Sequence, residues 1–388
     1  MQLPRKGYPW HFGLHFMTYY LATSVYQNFI AVYFKAQQLT TMQLSVLMAA
    51  MPMISILSQP MWGSIGDRMK SKRTLYMLLA LGSMALILCY RFTFNFYFLL
   101  LMVTLFSSLF TAIQPLGDSI VLEALMQGRK PFGPLRLMGC LVFAVSSLIV
   151  GKFLTGRDNW IIYLTSIFLG FVALSSFALP NIAGHQREKG DNSGFFSLLK
   201  DKTLRDLLIF VTLLQIAMGY FYAFFSVHFV QIPGGTSELL GRCYLISALC
   251  EVPFLLAADK LFDKFGAGKM VCVTALVLTV RFFMLGMTEN LTLVMLSQAL
   301  HGGGFIVMTV CVSKYISLTV PEALRSRGQM LLSVVGFGIA RVFGTLGGGI
   351  LADHIGMQHG FLFTAALSLA ALVYFAPKYI GKPALNGR

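Results

Sequence analysis

Gly63-Ser64-Ile65-Gly66-Asp67-Arg68-Met69-Lys70-Ser71-Lys72-Arg73 lies between two long apolar runs. A single acid is followed at once by a cluster of bases. Roughly half the chain later, Ala258-Asp259-Lys260-Leu261-Phe262-Asp263-Lys264-Phe265-Gly266-Ala267-Gly268-Lys269 repeats that plan in degenerate form, again between apolar runs. A charged turn that recurs at half the chain length implies two related halves.

Working outward, the flanks are apolar throughout. Of 388 residues, 56% are apolar, 13% aromatic and only 12% charged, and mean hydropathy is +0.72. A soluble domain carries about twice that charged fraction. This excludes a soluble enzyme, a nucleic-acid-binding domain and a disordered chain. A β-barrel would alternate polar and apolar residues, so helices that satisfy their own backbone are expected. Runs of about 20 apolar residues, enough to cross a bilayer, number twelve. They fall at roughly 11–36, 42–66, 74–92, 96–124, 135–157, 160–180, 204–232, 237–263, 269–288, 291–318, 326–353 and 358–378. The polar stretch Asn181 to Thr203 reads as the linker. The expected plan is an all-α membrane protein with a six-helix bundle over 1–180, a cytoplasmic linker over 181–203 and a second six-helix bundle over 204–388.

The net charge of +15, from 30 basic and 15 acidic residues, is a topology signal. Most bases fall in even-numbered loops and at the termini, among them Arg5, Lys6, Arg68, Lys72, Arg73, Arg187, Lys189, Lys269, Arg325 and Arg388. Odd-numbered loops and their flanks hold Lys35, Arg91, Lys152, Arg157 and Arg242. Basic loops stay cytoplasmic, so both termini and the linker are placed inside, in a multi-pass protein of a bacterial-type cytoplasmic (inner) membrane. No cleavable signal pattern opens the chain. The six cysteines form no CxxC pair, and neither a disulfide framework nor a metal site is expected.

Charges at bilayer depth cost several kcal/mol unless they face a cavity or a partner. At about 1.5 Å per residue, Glu251, Arg281 and His301 lie roughly 15 to 21 Å from their own membrane surfaces, on three consecutive spans. They form either a proton-linked cluster or a buried pair that fixes helix packing. Asp118 and Arg136 straddle the short loop between spans four and five and can face each other. Glu123 reads as an end-of-helix charge, and Arg341 has no acidic neighbour in sequence. Gln215 and Tyr222 share a helix face. Tyr26 and Tyr220 are preferred as cavity residues, against the plainer reading of packing aromatics. Asp67 can hold a cytoplasmic gate with Gly63, Arg68, Lys72 and Arg73, or the loop can be a topology determinant alone.

The repeated loop and the plan of six spans plus six resemble the major facilitator superfamily, whose GxxxDRxxxxR-type signature the first loop matches. Within it, the chain resembles the lactose permease branch of oligosaccharide:proton symporters and its phenylpropionate-permease-like relatives. The likeness rests on Trp10-His11-Phe12-Gly13-Leu14, on Asp118 with Arg136-Leu137-Met138-Gly139-Cys140, on Glu251, on Val280-Arg281, and on Leu300-His301 with Lys314-Tyr315-Ile316. The resemblance implies substrate binding by Asp118, Arg136, Phe143 and Glu251; Tyr26, Tyr220 and Gln215 join them as candidate binding residues from the aromatic and polar lining of spans one and seven. It implies proton coupling through Glu251, Arg281 and His301.

The departures bear on mechanism. Gly304 stands where lactose permease has a second acid, Gln298 where it has a Lys, and Phe143 where it has a Trp. Either Glu251 or Asp118 must then titrate if protons are coupled. The expected function is a secondary active transporter, a proton-coupled symporter importing a sugar, nucleoside or aromatic acid by alternating access. A uniporter or a proton-linked antiporter or exporter is the alternative, and a non-transporting receptor a remote one. No catalytic motif appears, so no enzyme is expected. No cofactor is expected beyond the proton gradient as energy source. The partners are a small-molecule substrate, protons and the bilayer, with no nucleic acid, and the chain is expected to work as a monomer.

Overall fold

The computed structural model describes residues 7–128, 130–184, 198, 200–321 and 324–380. Among them no strand occurs. Six helices come first: α1 (Gly13–Ala36), α2 (Thr41–Arg68), α3 (Lys72–Leu88), α4 (Phe96–Gly128), α5 (Gly133–Leu154) and α6 (Trp160–Ser175). Then comes α7 (Lys202–Gln231). The continuous stretch Ser237–Met287 breaks at Gly266, where φ is 72° and ψ 164°. It therefore comprises α8 (237–265) and α9 (267–287). After α10 (Leu291–Thr319), the stretch Arg327–Tyr379 breaks at Gly356, with φ 81° and ψ 158°. It gives α11 (327–355) and α12 (357–379).

Nine of the described helices are long and apolar enough to cross a membrane. Dividing the two long ones at their glycines and adding α1 brings the number to the twelve expected. Helix α1 falls below that apolar threshold because Tyr19, Tyr20, Tyr26, Gln27 and Asn28 dilute its hydropathy. Helix starts are fixed locally. Asp201 caps α7 by accepting from the Thr203 and Leu204 amides at 2.8 and 3.0 Å. Asn290 does the same for α10 and Ser71 for α3, each satisfying amides that have no partner within the helix.

The chain forms two compact units. Unit 1 comprises Met1–Leu39, Met53–Lys189 and Ser237–Gly241; unit 2 comprises Thr40–Pro52, Gly190–Thr236 and Arg242–Arg388. Thr40–Pro52, at the start of α2, thus falls in unit 2, and Ser237–Gly241, at the start of α8, in unit 1. The Lys72 amide donates to the Ile182 carbonyl and the Gly184 amide to that of Met69, both at 2.9 Å, which ties 182–184 to the charged turn. Residues 185–197 and 199 of the linker lie outside the described residues, as do Arg5, Lys6, Arg187, Lys189 and Arg388.

Helices approach closely where side chains are missing. In unit 2, a Cβ on Gly219 of α7 would lie 2.6 Å from the Arg341 carbonyl oxygen of α11. In unit 1, a Cβ on Gly139 of α5 would lie 2.7 Å from the Tyr20 ring of α1. Small residues permit such approach where lipid offers no hydrophobic drive for association.

Candidate functional site

Arg281 is fully buried on α9, and both of its Nη atoms have partners while its buried Nε has none among the described residues. Its Nη1 donates to His301 Nδ1 at 2.6 Å and its Nη2 to Gln298 Oε1 at 2.6 Å. Its guanidinium lies 4.1 Å from the centroid of the Phe221 ring. His301 Nε2 in turn reaches Glu251 Oε1 at 3.1 Å. The structure thus joins Glu251, His301 and Arg281 in one row across α8, α10 and α9. A guanidinium only donates hydrogen bonds, so the imidazole nitrogen facing it must accept. The His301 proton therefore sits on Nε2 and is donated to Glu251. A second proton on His301 would set two donors against each other. The Glu251 side chain is 27% exposed.

Two of the departures noted in the sequence gain a physical reason. Gln298 offers an amide oxygen to Arg281, and Ser247 Oγ lies 3.4 Å from that same oxygen. A Lys there would oppose the guanidinium. A Cβ on Gly304 would lie 2.7 Å from Leu278 Cδ2, so an acid at 304 would require Leu278 to move.

A second cluster in unit 2 centres on Arg341. Its Nε donates to the buried Gln215 Oε1 at 3.0 Å. Its guanidinium packs 4.8 Å from the Tyr222 ring centroid and 5.4 Å from that of Phe337. The partner sought for Arg341 among acids is thus an amide and two ring faces. Just before it, α11 widens into a π-helix over Leu332–Ile339, a deformation that frequently marks functional sites.

In unit 1 Asp118 and Arg136 stay within electrostatic reach of each other without closing into an ion pair. Asp118 Oδ1 lies 3.5 Å from His15 Nε2, and no ion pair within 4 Å joins it to Arg136 among the described residues. The physical reason is Gly117, which lets the His15 ring press against α4. Arg136 instead stands beside Tyr20. That tyrosine accepts from Gln114 Nε2 at 3.4 Å and meets the Phe143 ring edge-on, with centroids 6.4 Å apart. Tyr20 was missed in the sequence because nothing distinguishes it from Tyr19 beside it. Only the missing side chain of Gly139, four residues before Phe143 on α5, marks where a ring could lodge.

The two preferred cavity tyrosines are packed inside their own units. Tyr26, 3% exposed, sits among Phe106, Phe110 and Tyr90. Tyr220, 1% exposed, donates to the Met357 carbonyl at 2.7 Å and packs on Phe224 and Phe361. An aromatic stripe on a helix has no marker for the face it presents, and packing claimed both rings.

At the charged turn, Lys72 is the base that turns inward. It is 5% exposed, 3.1 Å from Glu123 Oε2 and 3.9 Å from Asp67 Oδ1. Glu123 is thus part of this network and not a plain end-of-helix charge. Arg68 is exposed and Arg73 half-buried, and a Cβ on Gly63 would meet nothing within 4 Å. In unit 2, Lys314 of α10 pairs with Asp259 and Asp263 of α8 at 2.8 and 3.0 Å. The degenerate repeat of the loop therefore keeps an ion-pair network.

Apolar spanning helices in two units, with ionisable side chains joined at the interior of each, define a membrane transporter of the major facilitator type. The chain belongs to the MFS_1 like family, whose model matches residues 9–363. It is similar to the maltose permease of Geobacillus stearothermophilus, 25% identical over 93% of this chain and 92% of that one. It is equally similar to a probable 3-phenylpropionic acid transporter of Escherichia coli, 25% identical over 95% and 97%. Its fold superposes on the crystal structure of the nucleoside transporter NupG with a TM-score of 0.84, at 15% identity, covering 96% of this chain and 99% of that one. These relatives are transporters and not enzymes.

Proposed function

We propose that the protein is a proton-coupled symporter that imports a small organic solute by alternating access. The observation that carries this reading is the Glu251–His301–Arg281 row, with its 3.1 and 2.6 Å links and a fully buried guanidinium. Burying an arginine beside an acid is costly in a membrane, and such residues mark ion and proton pathways. Glu251 is the group of this row that can exchange a proton, for the reason given above. When it is protonated, its charge no longer balances Arg281, and the row must rearrange or take up a ligand. Proton and solute occupancy are thereby linked. Solute binding draws on Arg136, Phe143 and Tyr20 in unit 1; unit 2, taken by itself, offers a cluster of similar make-up in Arg341, Gln215 and Tyr222. A cation with flanking rings suits an aromatic acid, a sugar or a nucleoside. The named activities of the maltose, 3-phenylpropionate and nucleoside relatives span the same three classes. Both termini are placed in the cytoplasm, and the functional unit is the monomer.

The test is uptake by proteoliposomes of maltose, 3-phenylpropionate and uridine, with and without an inward proton gradient. One of the three is expected to accumulate against its gradient only when protons drive it. Glu251→Gln is expected to abolish accumulation while solute exchange and the folded state persist. Equal accumulation by wild type and Glu251→Gln would remove Glu251 as the carrier.

A further inference from the structure

Unit 1 holds a histidine that the mechanism above does not use. His15 on α1 is 1% exposed. Its Nδ1 is 2.8 Å from the Tyr76 hydroxyl of α3, and its Nε2 is 3.5 Å from Asp118 Oδ1 of α4. Both of those last atoms are buried, and neither has a hydrogen-bond partner. Buried polar atoms are rarely left so, because each costs roughly 1–3 kcal/mol. The ring is held in place by the fold. A Cβ on Gly117 would lie 2.8 Å from His15 Nδ1, so α4 carries a glycine where its backbone meets the imidazole. Phe16 and Tyr19 flank the ring on α1.

The other titratable or charged groups that face this pair are few. Tyr19 and Tyr20 on α1, Tyr76 on α3 and Arg136 on α5 face Asp118. A neutral ring donates from Nε2 toward Asp118 and accepts at Nδ1 from Tyr76, and the pair has room for one proton more. A tyrosine hydroxyl both donates and accepts, so it accommodates either state of Nδ1. As an imidazolium, His15 donates from Nδ1 to the Tyr76 oxygen and from Nε2 to Asp118. The 3.5 Å gap then closes toward the roughly 2.7–2.9 Å of a charge-assisted bond. His301 in unit 2 cannot do this, because its Nδ1 faces a guanidinium.

We propose that His15, held between Tyr76 and Asp118, is a proton-binding site of unit 1, separate from Glu251, and that filling it readies Arg136 for an anionic solute. The proton comes from water and adds to the imidazole lone pair; no other bond changes. Before it binds, Asp118 and Arg136 balance each other's charge. Afterwards His15 and Asp118 balance, and Arg136 is left as the cation that a carboxylate of the solute neutralises. Proton and organic anion thus load unit 1 together with no change in net charge. The anion clause rests on the transport reading above; the proton site does not.

The experiment is a pH titration, from about pH 5 to 8.5 to bracket histidine, of detergent-solubilised protein carrying isotope-labelled histidine, read by NMR. The His15 signal is assigned by its loss in His15→Gln. Should that variant not fold, a chain retaining His15 as its one histidine replaces it. His15 is expected to show a single titration step, with the His301 signal static over the same range. Asp118→Asn is expected to change the pH response of the His15 signal, because the carboxylate that the ring faces is gone. A His15 signal that does not titrate, in protein that still accumulates solute, overturns the site and leaves transport standing. Calorimetry with 3-phenylpropionate in buffers of different ionisation enthalpy reads the second clause. Uptake of about one more proton per molecule bound by wild type than by His15→Gln supports it, and equal uptake overturns it. Absence of 3-phenylpropionate binding alongside a titrating His15 also overturns that clause, with the proton site upheld.

Discussion

Arg136, Tyr20 and Phe143 form one small assembly, and each can be removed separately. The guanidinium presents a rigid fork of donors that a lysine cannot reproduce. Phe143 supplies an apolar face, and the Tyr20 hydroxyl, 3.4 Å from Gln114 Nε2, orients the polar edge. Arg136→Lys and Phe143→Ala are each expected to weaken solute binding by roughly 1–3 kcal/mol, the range for one good polar or stacking contact. Tyr20→Phe keeps the ring and loses the hydroxyl, so its expected cost is about 1 kcal/mol. Thermal melting of the ligand-free protein should barely change in any of the three, and titration of the solute that proteoliposomes accumulate gives the affinities. If Arg136→Lys lowers the melting temperature sharply and leaves affinity intact, Arg136 is a packing residue and the solute is held in unit 2. The charges themselves could be read from the sequence, because each ionisable residue within a span stands out against an apolar background. Their partners could not. Asp118 was matched to Arg136 by spacing, and one glycine beside it, Gly117, also admits His15, which comes nearer. Partner choice depends on which helix faces which, and a helix that is apolar on every side records no such direction.

The helices themselves were readable almost to their ends, since bilayer thickness fixes their length and the loops carry the charge. What the pattern obscured is how tightly two successive helices join. Gly266 and Gly356 connect α8 to α9 and α11 to α12 with φ near 72° and 81° and ψ near 164° and 158°. That region of backbone space is essentially reserved for glycine, and a side chain there costs of order 1–3 kcal/mol. Gly266→Ala is accordingly expected to destabilise the protein by about that amount. A substitution at the neighbouring Gly268, which lies within regular helix, provides the comparison. Thermal unfolding of the purified variants, at fixed detergent, checks it. Matching melting temperatures for wild type and Gly266→Ala would mean that the turn relaxes to negative φ at no cost. The same glycine falls inside the degenerate loop repeat, which explains why that loop has lost its resemblance to the first. The second loop turns on a strained glycine, whereas the first ends α2 at Arg68 and starts α3 from a Ser71 cap.

On the transport reading proposed above, each unit keeps the end that carries its charged loop rigid while the access state changes. The ion-pair networks provide this in both halves, with their charges distributed differently. In unit 1 the base is Lys72 at the start of α3, set between Glu123 and Asp67. In unit 2 the base is Lys314 on α10, facing Asp259 and Asp263. Asp67 and Glu123 have unequal parts. The side chain of Asp67 is 39% exposed and 3.9 Å from Lys72, that of Glu123 25% exposed and 3.1 Å away. An exposed, long ion pair contributes little to stability, about 0–1 kcal/mol, so Asp67 is the weaker of the two partners of Lys72. Lys72, 5% exposed, is committed to Glu123, and breaking a buried pair costs roughly 3–5 kcal/mol. Asp67→Asn is therefore expected to leave the melting temperature within a degree or two, leave solute binding intact, and slow uptake severalfold. Glu123→Gln is expected to lower the melting temperature clearly, because it strands the Lys72 ammonium. The two variants are compared by thermal unfolding and by proteoliposome uptake in the same preparations. Unchanged uptake by Asp67→Asn would reduce the Gly63–Arg73 loop to a topology signal. Equal loss of stability in both variants would instead make Asp67 part of the fixed scaffold, and the moving contact would have to be sought in Arg68 or Arg73.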